Sequence, residues 1–384
     1  MSNSKYILVA LPATIVRSGD EDEAFNALTA TVSPDAGEVA RFNIPSFKIG
    51  TLDALVLQAD ELAKVDQQVE SAVAKVADVL RNVCEAGRAG EHKMVNDKPI
   101  DQYLRNFTWN KVKYRSERSI GELIEALHKE VVLLDNDLKS KYTQYQAAKS
   151  NLIALERKQT GNLSTKSLYG IVTKDDFVTG SEYLETLLIA IPNNLEKDWL
   201  KSYEILTPMV VPRSSAKLDQ DEEFALYTVT LFKKQIPEFV QKARANKFVP
   251  REFTWTDNGS EKAKQEIDSA RILERKILNE TLRLAMTAWS DEFMAWIHIK
   301  ALRVYVESVL RYGLPLEYTS AIIRAPNAKA AQKAKKQLDA YNYLGGNAFG
   351  RDKKGNIKND IPGDLMAGDT AEYSAYVYYE FEIA

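Results

Sequence analysis

FMAWIHIKALRVYVESVLRYGLP, Phe293 to Pro315, places its charges on one narrow line of a helix. Lys300, Arg303, Glu307 and Arg311 follow at intervals of three, four and four, while Trp296, Ile297, Ile299, Leu302, Val304, Tyr305, Val306, Val309 and Leu310 fill the other directions. A helix with that pattern is buried almost all round. Its end is marked in the expected order: Arg311 complements the negative end of the dipole, Gly313 suits the left-handed cap position, and Pro315 prevents continuation. A membrane span is not expected, because four formal charges within about three turns would cost several kcal/mol in hydrocarbon. Two roles remain open for the charged line. It is a satisfied wet edge, with Glu307 between Arg303 and Arg311, or the place where a partner docks.

Working outward, the chain of 384 residues is long enough for two or three domains, and its 45% hydrophobic and 27% charged residues are ordinary for a globular protein. Its 51 basic and 54 acidic residues nearly cancel, so neither a nucleic acid nor an anionic membrane is expected as the main partner. A single cysteine, Cys84, leaves no internal disulfide framework. The N-terminal apolar run stops at Pro12 and Arg17, too soon for a signal peptide, and no stretch reaches eighteen apolar residues. A cytosolic location is expected.

The N-terminal part alternates short extended and long helical patterns. Tyr6 to Leu11 and Val39 to Ile44 read as strands, and Thr51 to about Glu85 as a helix with Leu55, Leu62, Val65, Val69, Val73, Val76 and Leu80 on one face. Phe107 to Tyr114, FTWNKVKY, alternates aromatic and polar residues and reads as a strand. From Ile120 a seam of Ile124, Leu127, Val131, Leu134, Leu138, Tyr142, Tyr145 and Leu152 advances by fours and threes, with neither Pro nor Gly from Glu122 to Thr160. At 1.5 Å per residue such a helix reaches roughly 55–60 Å, more than one compact domain holds. Ser260 to Tyr312 is likewise uninterrupted, and its Ala263, Ala270 and Ala288 would let a second backbone approach, so the two are expected to pair antiparallel.

Between them, residues 161–256 carry their own strand signals at Tyr183 to Pro192, Glu223 to Phe232 and Phe248 to Trp255, and helical signals at Asn194 to Leu206 and Pro237 to Asn246. Beyond the second helix, Ala321 to Ala325 reads as a strand, Ala328 to Tyr341 as a helix, and Ala375 to Ile383 as a last strand able to join the N-terminal sheet. No internal repeat is evident.

Chemistry has little raw material. His92, His128 and His298 are far apart and in no metal-binding spacing, and Cys84 lies on an apolar helical stretch without an adjacent histidine. Gly345 to Asp352, GGNAFGRD, begins like a phosphate loop but has Arg351 and Asp352 where Lys and Ser or Thr are needed. Asp175-Asp176 and Glu222-Glu223 are sequence neighbours whose side chains point apart. No catalytic residue, metal or cofactor is expected. Candidate exposed contacts are the basic clusters Lys329, Lys333, Lys335, Lys336 and Lys158, Lys166, Lys174, each also readable as a solvated face.

The run KALRVYVESVLRYGLP (Lys300 to Pro315) resembles the signature of the C subunit of the vacuolar-type proton-pumping ATPase, the V-ATPase. So do FKIGTLDALV (Phe47 to Val56), ERKQTGNLSTKSL (Glu156 to Leu168), DDFVTGSEYL (Asp175 to Leu184), KFVPREFTW (Lys247 to Trp255) and YLGGNAF (Tyr343 to Phe349), in the same order across nearly the whole chain. The fungal members are the most similar, because the middle lobe lacks an insertion carried by some animal forms. The resemblance implies an elongated α+β fold. A foot lobe with a mixed sheet and helices comes from both chain ends (residues 1–116 and 291–384). A long antiparallel helical neck (117–160 and 257–290) carries an inserted α/β head lobe (161–256). It implies a non-enzymatic stator linker, peripheral on the cytosolic face of the vacuolar membrane without inserting into it. The head would grip a peripheral stalk made of the E and G subunits, the foot a second stalk and the N-terminal cytosolic domain of the pump's a subunit, with reversible disassembly of the pump as the regulated step. The family is also linked to actin binding and weak nucleotide binding, for which no local motif is present here. Partner contacts are expected at Lys300, Arg303, Glu307 and Arg311 and at Lys158 and Lys166. The alternatives are a cytosolic coiled-coil scaffold, a cytoskeletal tether, and an enzyme with an unrecognised acidic site.

Overall fold

A computed structural model describes residues 4–84, 88–255, 259–340 and 376–383. Contacts divide the chain into two compact units, Met1–Tyr142 with Glu280–Ala384, and Thr143–Asn279. Both chain ends therefore build the first unit, and the division falls inside the two longest helices.

In the first unit the chain runs through β1 (Lys5–Pro12), α1 (Glu21–Thr31), β2 (Glu38–Arg41), α2 (Leu52–Val83), the short hairpin β3 (Met94–Val95) and β4 (Lys98–Pro99), α3 (Ile100–Arg105) and the first half of α4 (Ile120–Thr160). The second unit supplies β5 (Leu184–Pro192), α5 (Glu196–Ser202), β6 (Lys217–Gln220), β7 (Phe224–Phe232), α6 (Ile236–Ala245) and β8 (Val249–Arg251). The chain then follows α7 (Gly259–Tyr312) back into the first unit, which ends with β9 (Tyr318–Ala325), α8 (Ala328–Asp339) and β10 (Val377–Glu382).

The first sheet has the order β10-β1-β9-β2. β1 lies inside it, and its near-continuous apolar run is what burial on both faces requires. Ile7, Val9 and Leu11 point to a core shared with Leu28 of α1 and Ala331, Ala334 and Leu338 of α8, while Tyr6, Leu8 and Ala10 point to the larger core of α2, α4 and α7. The result is helix, sheet, helix in three layers. Every ladder in it is antiparallel, which corrects the mixed sheet expected from sequence. The second unit's sheet, β6-β7-β5-β8, is also antiparallel throughout, so that lobe is α+β in kind and lacks the parallel crossovers of an α/β unit. Ile189, Ile191, Tyr227 and Val229 face α5 and α6 through Trp199 and Phe239, and Leu188 and Leu226 pack on Leu163, Leu168 and Val172.

Three local expectations are corrected. FTWNKVKY forms no strand; Thr108 makes one isolated bridge to Asn43, and the aromatic alternation instead points Phe107, Trp109 and Tyr114 at the His298 ring. The strand expected over Phe248 to Trp255 shortens to β8, because Phe253 and Trp255 leave the ladder to pack on Tyr169. Helix α1 forms in a charged stretch with no expected element: Asp20 caps it by accepting from the amides of Asp22 and Glu23, each at 2.9 Å. The strand–3₁₀–helix succession of β5 into α5 also recurs in β7 into α6, a repeat visible in structure and faint in sequence. The loop expected at Gly345 to Gly363 lies outside the described residues.

Within the first unit α4 and α7 run antiparallel. Lys113 joins Glu130 of α4 to Asp291 of α7, and farther along Lys141 pairs with Glu280. In the second unit their contact is thinner: Leu155 packs on Ile267 and Ala270, with Arg271 reaching Glu156 at 2.9 Å.

Candidate functional site: the charged line of the long helix

Helix α7 presents Lys300, Arg303, Glu307 and Arg311 on one line, and Gly313 closes it: at φ +80° its amide donates to the Val309 carbonyl at 2.9 Å. What the line faces is Asp66 of α2. The sequence places Asp66 between Leu62 and Val69, inside the apolar stripe, so the fold buries it to 4% exposure. Its carboxylate receives three donors from α7. Trp296 Nε1–H donates at 2.9 Å, Lys300 Nζ lies 3.1 and 3.2 Å from the two oxygens, and Arg303 donates through Nη1. A buried carboxylate needs this company, because an unpaired charge in a core is costly. Lys300, also 4% exposed, has its pKa pulled down by burial, with the Asp66 charge opposing. For the less buried Arg303 burial acts the same way, but Tyr379 and Asp66 outweigh it and raise the pKa. Asp66 favours the charged form of both cations, and burial prevails over it only at Lys300.

The opposite side of the line holds the last strand. Lys300 Nζ stands 4.6 Å from the Trp296 ring centre and 4.8 Å from that of Phe381; Arg303 lies 4.3 Å over Tyr379; Arg311 donates to the Tyr376 carbonyl and to Glu307 at 2.8 Å. Rising positions on α7 thus meet falling positions along the C-terminal strand and the residue before it. Tyr312 completes the seam, donating to the Ala10 carbonyl of β1 at 2.7 Å and accepting from the Val377 amide of β10 at 3.2 Å. The line closes the sheet at the strand farthest along the chain. Sequence reading misses Asp66; the signal is an acid at a position where the stripe of α2 demands an apolar residue.

His298 points elsewhere on the helix, into the aromatic group of Phe107, Trp109 and Tyr114. Its Nε2 accepts from the Asn110 amide at 3.0 Å and its Nδ1 donates to the Met294 carbonyl at 2.7 Å, which fixes a neutral tautomer. Burial pushes its pKa down to about 4. In the second unit Lys158 is exposed and Lys166 half-buried at the end of α4, brought near each other where the Ser167 amide donates to the Lys158 carbonyl. The Lys166 carbonyl accepts from Arg251 at 2.7 Å. Burial opposes the charge of Asp221, but the amides of Leu163, Phe224 and Glu223 that donate to it, and after them the Lys166 charge, hold its pKa down. Of the α8 lysines, Lys333 pairs with Asp35 and Lys335 lies 5.6 Å over Tyr378, while Lys329 and Lys336 are not buried. Among the described residues no group of three or more His, Cys, Asp or Glu is placed to hold a metal, and no helix is long and apolar enough to cross a membrane.

The fold and this site define an α+β protein in which Lys300 and Arg303, with Asp66, tie α2, α7 and the last strand together. Residues 6–377 match the family profile of the V-ATPase C subunit, and the chain belongs to that family. It is 41% identical over 381 residues to the C subunit of the V-type proton ATPase of Saccharomyces cerevisiae, covering 97% of this chain and 96% of the relative. It is 43% identical over 346 residues to the C 1 subunit of the V-type proton ATPase of Xenopus laevis, covering 89% of each. A solved structure, the cytoplasmic N-terminal domain of the V-ATPase I subunit, a homolog of the a subunit, aligns over 88% of this chain and 96% of its own at 14% identity, with a TM-score of 0.29, too low to speak to the fold.

Proposed function

We propose that this chain is a non-catalytic linker in the stator of the V-ATPase, joining the peripheral stalks of the soluble ATP-hydrolysing sector to the membrane proton-translocating sector. Family membership carries this reading. It is supported by α4 and α7, each a continuous helix contributing to both compact units. At 1.5 Å per residue their lengths of 41 and 54 residues correspond to roughly 60 and 80 Å. In this reading residues 161–256 are a head that grips the E and G subunits, the chain ends form a foot that meets a second stalk and the N-terminal cytosolic domain of the pump's a subunit, and the helices between are an elongated neck that bears torque. Two modest contacts on one linker bind tightly together and release when either is lost, which suits reversible assembly on the cytosolic face of the vacuolar membrane. The exposed Lys158 and the half-buried Lys166, Glu307 and Arg311 are the groups assigned to partners, while Lys300 and Arg303 hold the foot.

Affinity capture of the tagged full-length chain from detergent-solubilised membranes tests the proposal. Components of both pump sectors are expected in the eluate, and their absence would overturn it. Recovery of actin alone would favour a cytoskeletal tether. Steady turnover of ATP by the purified chain would overturn the non-catalytic assignment.

A further inference from the structure

Glu292 lies on α7 within the same helical core as Asp66, at 0% exposure, and among the described residues neither of its carboxyl oxygens has a hydrogen-bond partner. The charged groups that act on it come from each helix packed there. Lys75 of α2 attracts its negative form, and Asp135 of α4 and Asp291 beside it on α7 repel it. None is free to compensate it fully. Lys75 is paired with Asp135 at 3.4 Å along an open groove between α2 and α4 that also contains His128, and Asp291 is held, with Glu130, by Lys113. The Trp289 indole N–H, one turn earlier on the helix, is buried and likewise has no hydrogen-bond partner among the described residues. An acid so placed can be accommodated only as the neutral form, since an ionised carboxylate in a core requires donors.

We propose that Glu292 makes the packing of α2, α4 and α7 in the first unit proton-linked: the core is tight while the side chain keeps its proton and loosens when the proton leaves to solvent. This goes beyond the proposed place in the pump and does not rest on it. Burial, with Asp135 adding to it, raises the pKa of the carboxyl to about 8, while in the unfolded chain it keeps an ordinary glutamate value near 4.5. Between those values the folded protein holds a proton that the unfolded chain has lost. Stability therefore falls as pH rises through that window and levels off above it.

Unfolding of the full chain by denaturant at pH 6 and pH 9, for wild type and Glu292→Gln, tests this. The wild-type unfolding constant is expected to rise about a hundredfold more than that of the variant between the two pH values. Equal rises would overturn the proposal. Should the variant fail to fold, the infrared carbonyl band of a protonated carboxylic acid in the wild type decides. It should persist at pH 7 and fade by pH 9, and its absence at pH 7 would overturn the proposal equally.

Discussion

Asp66 and Glu292 are two carboxyls in one helical core, and they are held in opposite ways. Asp66 meets an indole N–H, an ammonium and a guanidinium, and its charge is used to lock α2, α7 and β10 together. Glu292 meets no hydrogen-bond donor among the described residues, and a proton makes it compatible with its surroundings. The difference teaches that burial alone does not give an acid its role. The number of donors brought by neighbouring elements decides whether it is built into a clamp, as at Asp66, or left needing a proton, as at Glu292.

The largest effect expected of this comparison is at Asp66. Asp66→Ala removes the carboxylate that Lys300 and Arg303 share and should cost about 3–5 kcal/mol in denaturant unfolding of the full chain. Adding Lys300→Met should recover a substantial part. A loss below about 1 kcal/mol would mean that the three donors do not depend on this carboxylate.

His298 sharpens the contrast with the opposite sign. Its folded pKa of about 4 lies below the ordinary histidine value, so the unfolded chain binds a proton first as pH falls. The stability it contributes is complete above about pH 6.5 and is lost toward pH 4, by roughly 3 kcal/mol. His298→Phe should be less stable at pH 7, because the Asn110 amide loses its acceptor, and should lack this acid slope in a series of thermal melts. Next in size is the aromatic half of the Asp66 site. Tyr379→Leu removes the ring under Arg303 and should cost about 1 kcal/mol in the same unfolding assay, while an unchanged midpoint would confine the clamp to Asp66. The smallest expected change is at Lys75, whose cation opposes the raised pKa of Glu292. Lys75→Met should move the pH window of Glu292 upward by less than about one unit, and a downward shift in the unfolding profile would contradict the geometry.

Much of the fold was legible in local pattern. Both long helices, the stripe of α2, the strand over Tyr6 to Leu11 and the Arg311-Gly313-Pro315 stop follow from periodicity and chemistry within a few residues. FTWNKVKY misleads because an aromatic alternation that serves a strand also serves a loop wrapped around a histidine. Asp66 escapes notice because its partners Lys300 and Arg303 lie 234 and 237 residues away. Glu292 is illegible for the converse reason: no sequence pattern records the absence of a donor.

By itself, then, the sequence determined the family of this protein, the extent of its long helices and which faces of them are apolar, since those properties depend on neighbours in the chain. Only the tertiary structure decided that Lys300 lies in the core, that β10 closes on β1, and which donors each buried acid meets. A charge responds to the dielectric and the donors within a few ångströms, and folding selects those neighbours from distant parts of the chain.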